Sequence, residues 1–420
     1  MKVFKFGGAS VKNAEAVKNV GKVIQLFNDD LVVVISAMDK TTNALEKVVE
    51  SYTKKDGECF KHLDVVKTFH YTIIDELFQD KSHPIYQDVH NAFVEIEWEL
   101  EEEPLRSYDY IYDQIVSVGE IISTKIVSAY LNLINLPTTW IDVRNIIQTD
   151  NTHRDAKVDW ELTEQLAKKE MGIKNFLNGK TIFLTQGFIG SSSENFTTTL
   201  GREGSDFSAG ILAYCLNAES VTIWKDVPGM LNADPKVLAD AKMLSNISYH
   251  EAVELAYYGA TVIHPKTIKP LQNKNIPLYV KSFLNPQAEG TVIDNNASHD
   301  SMIPSFIFKR NQVLISIESK DYSFIIENNL SQIFGIFSKM GVKINLMQNS
   351  AISFSVVVDF DIQKTPSLIQ ELTNDYKVRY NENLTLITVR HYSKEAIESV
   401  VQNKEILLEQ KSRKMIRMVI

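Results

Sequence analysis

GREGSD, at residues 201–206, is the stretch of this chain that says most about its fold. The apolar run TIFLTQGFIG (181–190) lies before it, and FSAGILAYCLNAES (207–220) follows with apolar residues at helical spacing. This order predicts a strand, a hairpin over the Ser/Thr-rich residues 191–200, and a charged loop that opens a helix. Because the first turn of a helix presents unpaired N–H groups and the positive end of its dipole, we expect the loop to receive an anion.

Two side chains of this loop carry charges suited to that task. Arg202 presents a planar guanidinium that can grip a carboxylate or a phosphate through two parallel hydrogen bonds. Asp206 can hold a metal ion or a cationic side chain. The alternative interpretation is a polar turn in which Ser205 or Asp206 only caps the helix. The sequence of the loop leaves both interpretations open.

The composition limits the kinds of protein that this chain can be. Its 420 residues predict two or three domains, and 44% hydrophobic and 23% charged residues are typical of a soluble globular protein. The net charge of −9 argues against a general nucleic-acid binder. No signal peptide or membrane-spanning stretch is recognisable, so we expect a cytoplasmic protein without a membrane partner. Cys59 and Cys215 lack the spacing of a zinc site, and no metal-binding residues are predicted.

The first 300 residues alternate strand-like and helix-like segments, which predicts an α/β layered fold. The strand candidates are residues 2–6, 31–37, 138–143, 181–188, 221–227 and 278–283. Several of them are apolar on both faces, as expected for central strands of a buried sheet. Residues 44–135 are predicted to be mainly helical.

A different pattern begins after the loop at residues 285–304. The segments VLISIES (313–319), NNLSQIFGIFSKMG (328–341), VKINLMQ (342–348) and ISFSVVVDF (352–360) follow in the order strand, helix, strand, strand. This order is typical of ferredoxin-like units. A shorter repeat of it follows up to residue 420. We therefore expect one domain over 1–295 and a second region with two ferredoxin-like units over 305–420.

A second candidate anion site lies at the N-terminus. KFGGAS (5–10) follows an apolar strand and precedes a helical stretch. Gly7 and Gly8 allow the backbone to approach a phosphate, and Lys5 adds a positive charge. The segment lacks the spacing of a P-loop, and a strand followed by two glycines is common. The interpretation of KFGGAS as an anion site is strengthened because GREGSD occurs in the same chain.

Six segments together resemble those of the aspartate kinases in the amino acid kinase family. They are KFGGAS (5–10), SAMDKTTNAL (36–45), VSVGEIIST (116–124), LGREGSDFSA (200–209), WKDVPGMLNADPK (224–236) and YGATVIHPKT (258–267). The resemblance covers essentially the whole chain, and the C-terminal repeats resemble the paired ACT domains of this family. It implies an α/β fold with an amino acid kinase-type αβα sandwich, followed by ferredoxin-like (ACT) βαβ units.

The resemblance also implies a reaction. A member of this family transfers a phosphoryl group from ATP, with Mg2+, to the side chain of L-aspartate, giving 4-phospho-L-aspartate. This is the first step towards lysine, threonine and methionine. An amino-acid effector, lysine first and threonine second, and a homodimer through the ACT region are further expectations.

The resemblance assigns roles to particular residues. The catalytic residues are Lys5 and Asp206, and the substrate-binding residues are Ser36, Thr42, Glu120, Arg202 and Ser205. The ATP-binding residues are Lys5, Phe6, Gly7, Gly8, Lys225, Asp226, Leu231, Lys236, Thr261 and Val262. The effector-binding residues are Asn345, Met347, Gln348 and Ser350. Arg202 is assigned to the α-carboxylate of aspartate and Glu120 to its ammonium group.

Four positions in the nucleotide segments depart from the family pattern. Lys225 stands where threonine is common, Leu231 where tyrosine is frequent, Lys236 where arginine is frequent, and Thr261 where lysine is common. Two alternatives follow. One is another kinase of the same family, acting on glutamate, N-acetylglutamate, carbamate or UMP, although Glu120 favours a free ammonium group. The other is a ligand-sensing protein with little or no turnover.

Overall fold

The computed structural model describes residues 1–172, 180–260, 263–321, 323–401 and 404–420. These residues divide into two compact units. The first comprises Met1–Met230, Met243–Val253 and Val262–Ala297, and the second comprises Leu231–Lys242, Glu254–Thr261 and Ser298–Ile420. The second unit thus takes in two short segments that lie within the predicted first domain. No helix of the described residues is long and apolar enough to cross a membrane.

The first unit is built on an eight-stranded sheet in the order β3-β5-β2-β1-β8-β10-β11-β9. Its strands are β1 Lys2–Phe6, β2 Leu31–Ile35, β3 Thr138–Ile141, β5 Ile182–Gln186, β8 Val221–Lys225, β9 Asn246–Ser248, β10 Leu278–Ser282 and β11 Thr291–Asp294. The six strands from β3 to β10 in this order are parallel, and β11 is antiparallel to β10. A small sheet joins β4 Gln148–Thr149, β6 Ile189–Ser192 and β7 Thr197–Thr199. The predicted strands are all confirmed.

Helices supply the other layers of this unit. They are α1 Ala14–Gln25, α2 Thr41–Lys54, α3 Cys59–Leu77, α4 Ile85–Glu101, α5 Tyr108–Val116, α6 Val118–Leu133, α7 Trp160–Met171, α8 Gly204–Leu216, α9 Tyr249–Tyr258 and α10 Pro265–Asn273, with 3-10 turns at Gly8–Val11 and Val143–Asn145. The residues of α9 from Glu254 onwards are counted in the second unit. Every residue of β2 is buried, as expected for a parallel sheet between helical layers. On one face of the sheet, the rings of the paired residues Phe6 and Trp224 stack with their centroids 5.9 Å apart.

The topology places the predicted site segments at the carboxyl ends of neighbouring parallel strands. Phe6 at the end of β1 pairs with Ile35 of β2 and with Trp224 of β8, and Ile35 pairs with Gln186 at the end of β5. The segments that follow these strands therefore emerge side by side. In open α/β sheets, ligands bind outside the carboxyl ends of the strands.

The second unit contains a six-stranded sheet in the order β13-β14-β12-β15-β17-β16, in which all neighbouring strands are antiparallel. Its elements are β12 Ser305–Ser319, α11 Glu327–Lys339, β13 Ile344–Asn349, β14 Ser353–Asp359, α12 Lys364–Asp375, β15 Tyr376–Arg390, α13 Lys394–Val401, β16 Leu408–Lys411 and β17 Met415–Val419. The predicted strand, helix, strand, strand order is confirmed. The long strands β12 and β15 pair along most of their length and join the two ferredoxin-like repeats in one sheet.

Candidate active site

A cavity of about 710 Å³ opens in the first unit beside the strand ends. Residues that the sequence assigned to catalysis and substrate binding all line it. They are Lys5, Ser36, Thr42, Glu120, Arg202, Ser205 and Asp206. They come from β1, the segment after β2, the first turns of α2, α6 and α8, and the loop before α8 that carries Arg202. The fold therefore brings together residues that are up to 201 positions apart in the chain.

Asp206 organises the positive charges of this cavity. Its side chain is 1% exposed, and its Oδ1 lies 2.7 Å from the Nζ of Lys5. Its Oδ2 lies 3.7 Å from the Nζ of Lys225, at the end of β8. One carboxylate thus stands between two ammonium groups. This is an arrangement that can receive a phosphate chain, because the lysines are held in place before the anion arrives.

The glycine segments allow the backbone to close around this charge cluster. A Cβ on Gly8 would lie 2.8 Å from the carbonyl oxygen of Asp39 and 2.9 Å from that of Ala37, so a side chain at this position does not fit. The N–H of Asp39 donates to the carbonyl oxygen of Gly8 at 3.2 Å. Likewise, a Cβ on Gly187 would lie 2.5 Å from the Cβ of Ser205. Gly8 therefore lets the turn after β1 approach the segment after β2, and Gly187 lets the segment after β5 approach the first turn of α8.

Helix α8 begins without a side-chain cap. Glu203 occupies the N-cap position with a left-handed backbone (φ +57°), and no side chain accepts from the first turn there. Ser205 and Asp206 lie inside the helix and face the cavity instead. The interpretation of GREGSD as a turn in which Ser205 or Asp206 caps the helix is therefore wrong. The N–H of Gly204 donates to the carbonyl oxygen of Gly201 at 3.0 Å, whereas those of Ser205 and Asp206 have no main-chain acceptor among the described residues and are available to an anion.

Glu120 is a buried carboxylate at the floor of the cavity. It is 3% exposed, and its Oε2 has no hydrogen-bond partner within the residues that the structure describes. Burial raises the pKa of Glu120 to about 8, although Lys5 and an N–H bond from Ala37 oppose the shift. A buried acid with an unpartnered oxygen is destabilised until a cation arrives. Glu120 is thus ready to pair with an ammonium group.

Two arginines reach the cavity, and the sequence indicated only one of them. Arg202 is exposed and has no ion-pair partner among the described residues. Arg154 lies against the ring of Tyr112, with its Cζ 4.3 Å from the ring centroid, and its Nη atoms lie 3.7 Å from Glu46 and 3.4 Å from Asp109. The charge of Arg154 is therefore already paired, whereas that of Arg202 is available to a ligand.

A buried hydrogen-bond network, which was not predicted from the sequence, supports the part of the cavity around Arg154. Asp113, fully buried on α5, accepts bonds from the N–H (3.0 Å) and the hydroxyl (2.7 Å) of Thr199 and faces Nδ1 of His153 at 3.0 Å. Burial raises the pKa of Asp113, and these bonds oppose the shift. The network ties α5 to β7 and to the segment that carries Arg154. The available signal was the position of Asp113 on α5, next to the apolar residues Ile111, Ile115 and Val116, which are buried with it.

Fewer of the predicted ATP-binding residues lie at this cavity. Gly8 and Lys5 line the cavity, but the side chain of Phe6 is buried in the core, so only its main chain is available to a ligand. Asp226 is exposed. Leu231 and Lys236 belong to the second unit, while Thr261 and Val262 lie outside the described residues. The contacts of all ten predicted residues with ATP stay predictions.

The predicted effector residues lie on or just after β13 in the second unit. Asn345 is buried and is hydrogen-bonded to Lys309 and Gln312. Met347, Gln348 and Ser350 are exposed, and Ser350 is hydrogen-bonded to Ser353. Their role in effector binding stays a prediction.

Comparison with known proteins identifies the class to which this fold and cavity belong. The family model of the amino acid kinases matches residues 1–282, so the chain belongs to the amino acid kinase family. It is 31% identical over 394 residues to the lysine-sensitive aspartokinase 3 of Escherichia coli (strain K12), covering 92% of this chain and 86% of that protein. Within the family, the chain therefore groups with the aspartokinases.

Solved structures agree with this placement. The crystal structure of E. coli aspartokinase III in complex with lysine and aspartate has a TM-score of 0.83 at 29% identity. The complex of the same enzyme with aspartate and ADP has a TM-score of 0.81 at 28% identity. Each comparison covers 100% of this chain and 96% of the other. The two-unit architecture is therefore that of an aspartokinase along its whole length.

Proposed function

We propose that this chain transfers the γ-phosphoryl group of ATP to the side-chain carboxylate of L-aspartate, giving 4-phospho-L-aspartate and ADP. The observation that carries the proposal is the content of one cavity. It combines a lysine–aspartate–lysine cluster with a buried carboxyl group, one oxygen of which is unpartnered, and an arginine without an ion-pair partner; both absences refer to the described residues. The relative in E. coli has been solved with aspartate and with ADP.

The recognition half of the cavity suits an α-amino acid. Glu120 pairs with the ammonium group of aspartate, and Arg202 clamps its α-carboxylate through the planar guanidinium. Ser36, Thr42 and Ser205 offer hydroxyl donors to the remaining oxygens. Ser36 is held in place because the hydroxyl of Ser123 donates to its carbonyl oxygen at 2.7 Å. These contacts orient the side-chain carboxylate towards the lysines.

The chemical half of the cavity needs no general base. The attacking carboxylate, with a reference pKa of about 3.9, is already ionised near neutral pH. The task is to bring two anions into line and to stabilise charge on the transferred group. Lys5 and Lys225, separated by Asp206, supply that charge, and the amides of the segment after β1 and of α8 add donors.

Magnesium enters this scheme as part of the MgATP substrate. Both oxygens of Asp206 face lysines, and no group of three acidic, histidine or cysteine side chains in the described ranges could hold a metal ion. Mg2+ usually keeps several waters and binds substrate phosphates with few protein ligands. When bound with ATP, it neutralises phosphate charge alongside the lysines.

A hydroxylamine trap tests the reaction directly. Acyl phosphates react with hydroxylamine to give hydroxamates, so protein, MgATP and L-aspartate will yield aspartyl hydroxamate. We expect L-glutamate to give less than a tenth of that signal, about 1.4 kcal/mol of discrimination, since its extra methylene displaces the reacting carboxylate. Omission of ATP is the control. A folded protein that binds ATP but forms no hydroxamate would favour the ligand-sensing alternative, and a preference for glutamate would favour another kinase of the family.

The same assay tests regulation. We propose lysine as the effector and threonine as the second candidate, acting through a homodimer of the second unit, because the E. coli relative has been solved with lysine. Suppression of hydroxamate by one of the two amino acids identifies the effector. A rate that is insensitive to both contradicts this part of the proposal.

The raised pKa of Glu120 predicts a pH dependence of aspartate capture. Glu120 must lose its proton to pair with an ammonium group, and its pKa in the free protein is about 8. The kcat/KM for aspartate should therefore rise about tenfold per pH unit below pH 8 and level off above it. ADP release from pH 6 to 9 measures the profile. Glu120→Gln should have a flat and much lower profile, and a wild-type profile without this rise would contradict the role of Glu120.

A further inference from the structure

A second cavity of the first unit lies between helices α7, α8 and α10 and has a volume of about 400 Å³. Among the residues that the structure describes, it shares no lining residue with the candidate active-site cavity. No residue of its wall was assigned a role from the sequence, although Phe207 directly follows the site residue Asp206. Cavities of this size accommodate small organic molecules. The chemistry of its wall therefore determines which molecules it can bind.

One side of this cavity is aromatic. Phe207 and Tyr214 lie seven positions apart on α8, and Trp160 at the start of α7 meets both of them edge to face. The ring centroid of Trp160 is 6.2 Å from that of Phe207 and 5.2 Å from that of Tyr214. Trp160 is 36% exposed, so part of its indole is left to contact a ligand. Rings of this kind pack well against another planar aromatic group.

The other side of the cavity belongs to α10. Lys266, Lys269 and Asn273 follow each other at intervals of three and four residues, so their side chains lie on one face of this helix. Helix α10 packs closely on α8 because α8 has Gly210 at the contact: a Cβ on Gly210 would lie 3.1 Å from the carbonyl oxygen of Thr267. The lysine-bearing face of α10 is therefore held beside the aromatic residues of α8.

One of the two lysines is available to a ligand. Lys266 forms an ion pair with Asp155, which does not line the cavity. Lys269 is exposed and forms no ion pair within the described ranges of the chain. The ammonium group that covers the ring of Tyr214 is that of Lys274, with its Nζ 4.0 Å from the ring centroid. Although the chain has a net charge of −9, the described wall of this cavity thus contains two lysines and no acidic residue.

Aromatic side chains bind flat apolar groups, and a lysine ammonium binds an anion as a point charge. We infer that this cavity is a binding site for a small planar aromatic molecule with one anionic group, whose ring packs against Trp160 and Tyr214 and whose anion pairs with Lys269. Aliphatic and cationic amino acids do not suit it, because its described wall is aromatic and contains no acid. The proposed effector residues belong to the second unit, and the inference depends neither on them nor on the proposed kinase reaction.

The test is a calorimetric titration of the full-length chain with 2-naphthoate, an aromatic carboxylate without other functional groups. We expect one site per chain with a Kd on the order of 1 mM, as the size of this molecule allows. The neutral naphthalene-2-carboxamide should bind about threefold to tenfold more weakly, and cyclohexanecarboxylate, which keeps the charge without the aromatic ring, at least about tenfold more weakly. Equal binding of the carboxamide overturns the anionic part of the inference. Equal or tighter binding of cyclohexanecarboxylate or of inorganic phosphate overturns the aromatic part.

Trp160→Ala locates the aromatic half of the site. Asp159 still caps α7 by accepting from the N–H of Leu162, so the helix should form without the indole. The variant should bind 2-naphthoate about tenfold more weakly than the wild type. Thermal unfolding checks that it is folded. A folded Trp160→Ala that binds 2-naphthoate like the wild type contradicts the inference.

Lys269→Ala locates the charged half. Lys269 is exposed, so the change should not affect folding, and it should weaken 2-naphthoate a few-fold while leaving the carboxamide unchanged. Lys125→Ala is the matched control, because the Nζ of Lys125 lies 4.7 Å from the ring centroid of Trp140 elsewhere in the same unit. It should bind 2-naphthoate like the wild type, and so should Arg202→Ala, which excludes the active-site cavity. If 2-naphthoate does not bind the wild type, or if Lys269→Ala weakens it no more than Lys125→Ala does, the inference fails.

Discussion

Lys5→Met is expected to lower kcat by about 100- to 1,000-fold, the range seen when one preorganised electrostatic donor is removed from an active site. The substitution keeps an unbranched, uncharged stem and removes the ammonium that lies 2.7 Å from Asp206. Lys225 would still face the other oxygen of Asp206, but at 3.7 Å. The phosphate chain would lose the closer of the two cations. The KM for aspartate should rise as well, because Lys5 opposes the raised pKa of Glu120.

Lys2→Met is the matched control. Lys2 lies on the same strand and pairs with Asp29 near the surface at 2.9 Å. Since exposed pairs contribute little, kcat should stay within about twofold of the wild type. Circular dichroism and thermal unfolding check that Lys5→Met is folded. If a folded Lys5→Met retained near-normal kcat while Lys225→Met lost it, the phosphate-stabilising role would belong to Lys225.

The sequence predicted those parts of the site whose residues lie close together in the chain. A strand, a glycine turn and a helix start occur within a dozen residues in both KFGGAS and GREGSD, so their joint geometry follows from local backbone rules. The proximity of Lys225 to Asp206 is different. It depends on β8 lying beside β1 in the sheet. Because of this pairing, Lys225, which departs from the family pattern, becomes part of the charge cluster around Asp206.

Long-range partners could not be read from the sequence for the same reason. Asp113 and Thr199 are 86 positions apart, and Arg417 and Asn345 are 72 apart. Nothing local to either residue specifies the other, because tertiary packing creates the contact. The length of β12 could not be predicted from the sequence either. The polar residues 309–311 interrupt the apolar pattern, yet a register shift between Lys309 and Gln312 and a left-handed Asn311 (φ +53°) carry the strand through them.

Arg202→Ala is expected to raise the KM for aspartate by about 10- to 100-fold, which corresponds to the roughly 1.5–3 kcal/mol of a charge-assisted hydrogen bond. Arg202 lines the cavity and has no ion-pair partner in the part of the chain that the structure describes, so its guanidinium is available to the α-carboxylate. The contact is made in both the ground state and the transition state. The loss should therefore appear mainly in KM, with kcat and the KM for ATP nearly unchanged.

Arg154→Ala separates the two arginines of the cavity. Arg154 is already paired with Glu46 and Asp109, so its removal leaves two carboxylates without a partner rather than a substrate without a clamp. We expect a smaller rise in the KM for aspartate than for Arg202→Ala, measured by ADP release at saturating ATP. The reverse order would assign the α-carboxylate to Arg154. It would also give the buried Asp113 network, which holds the main chain of Arg154, a direct part in substrate recognition.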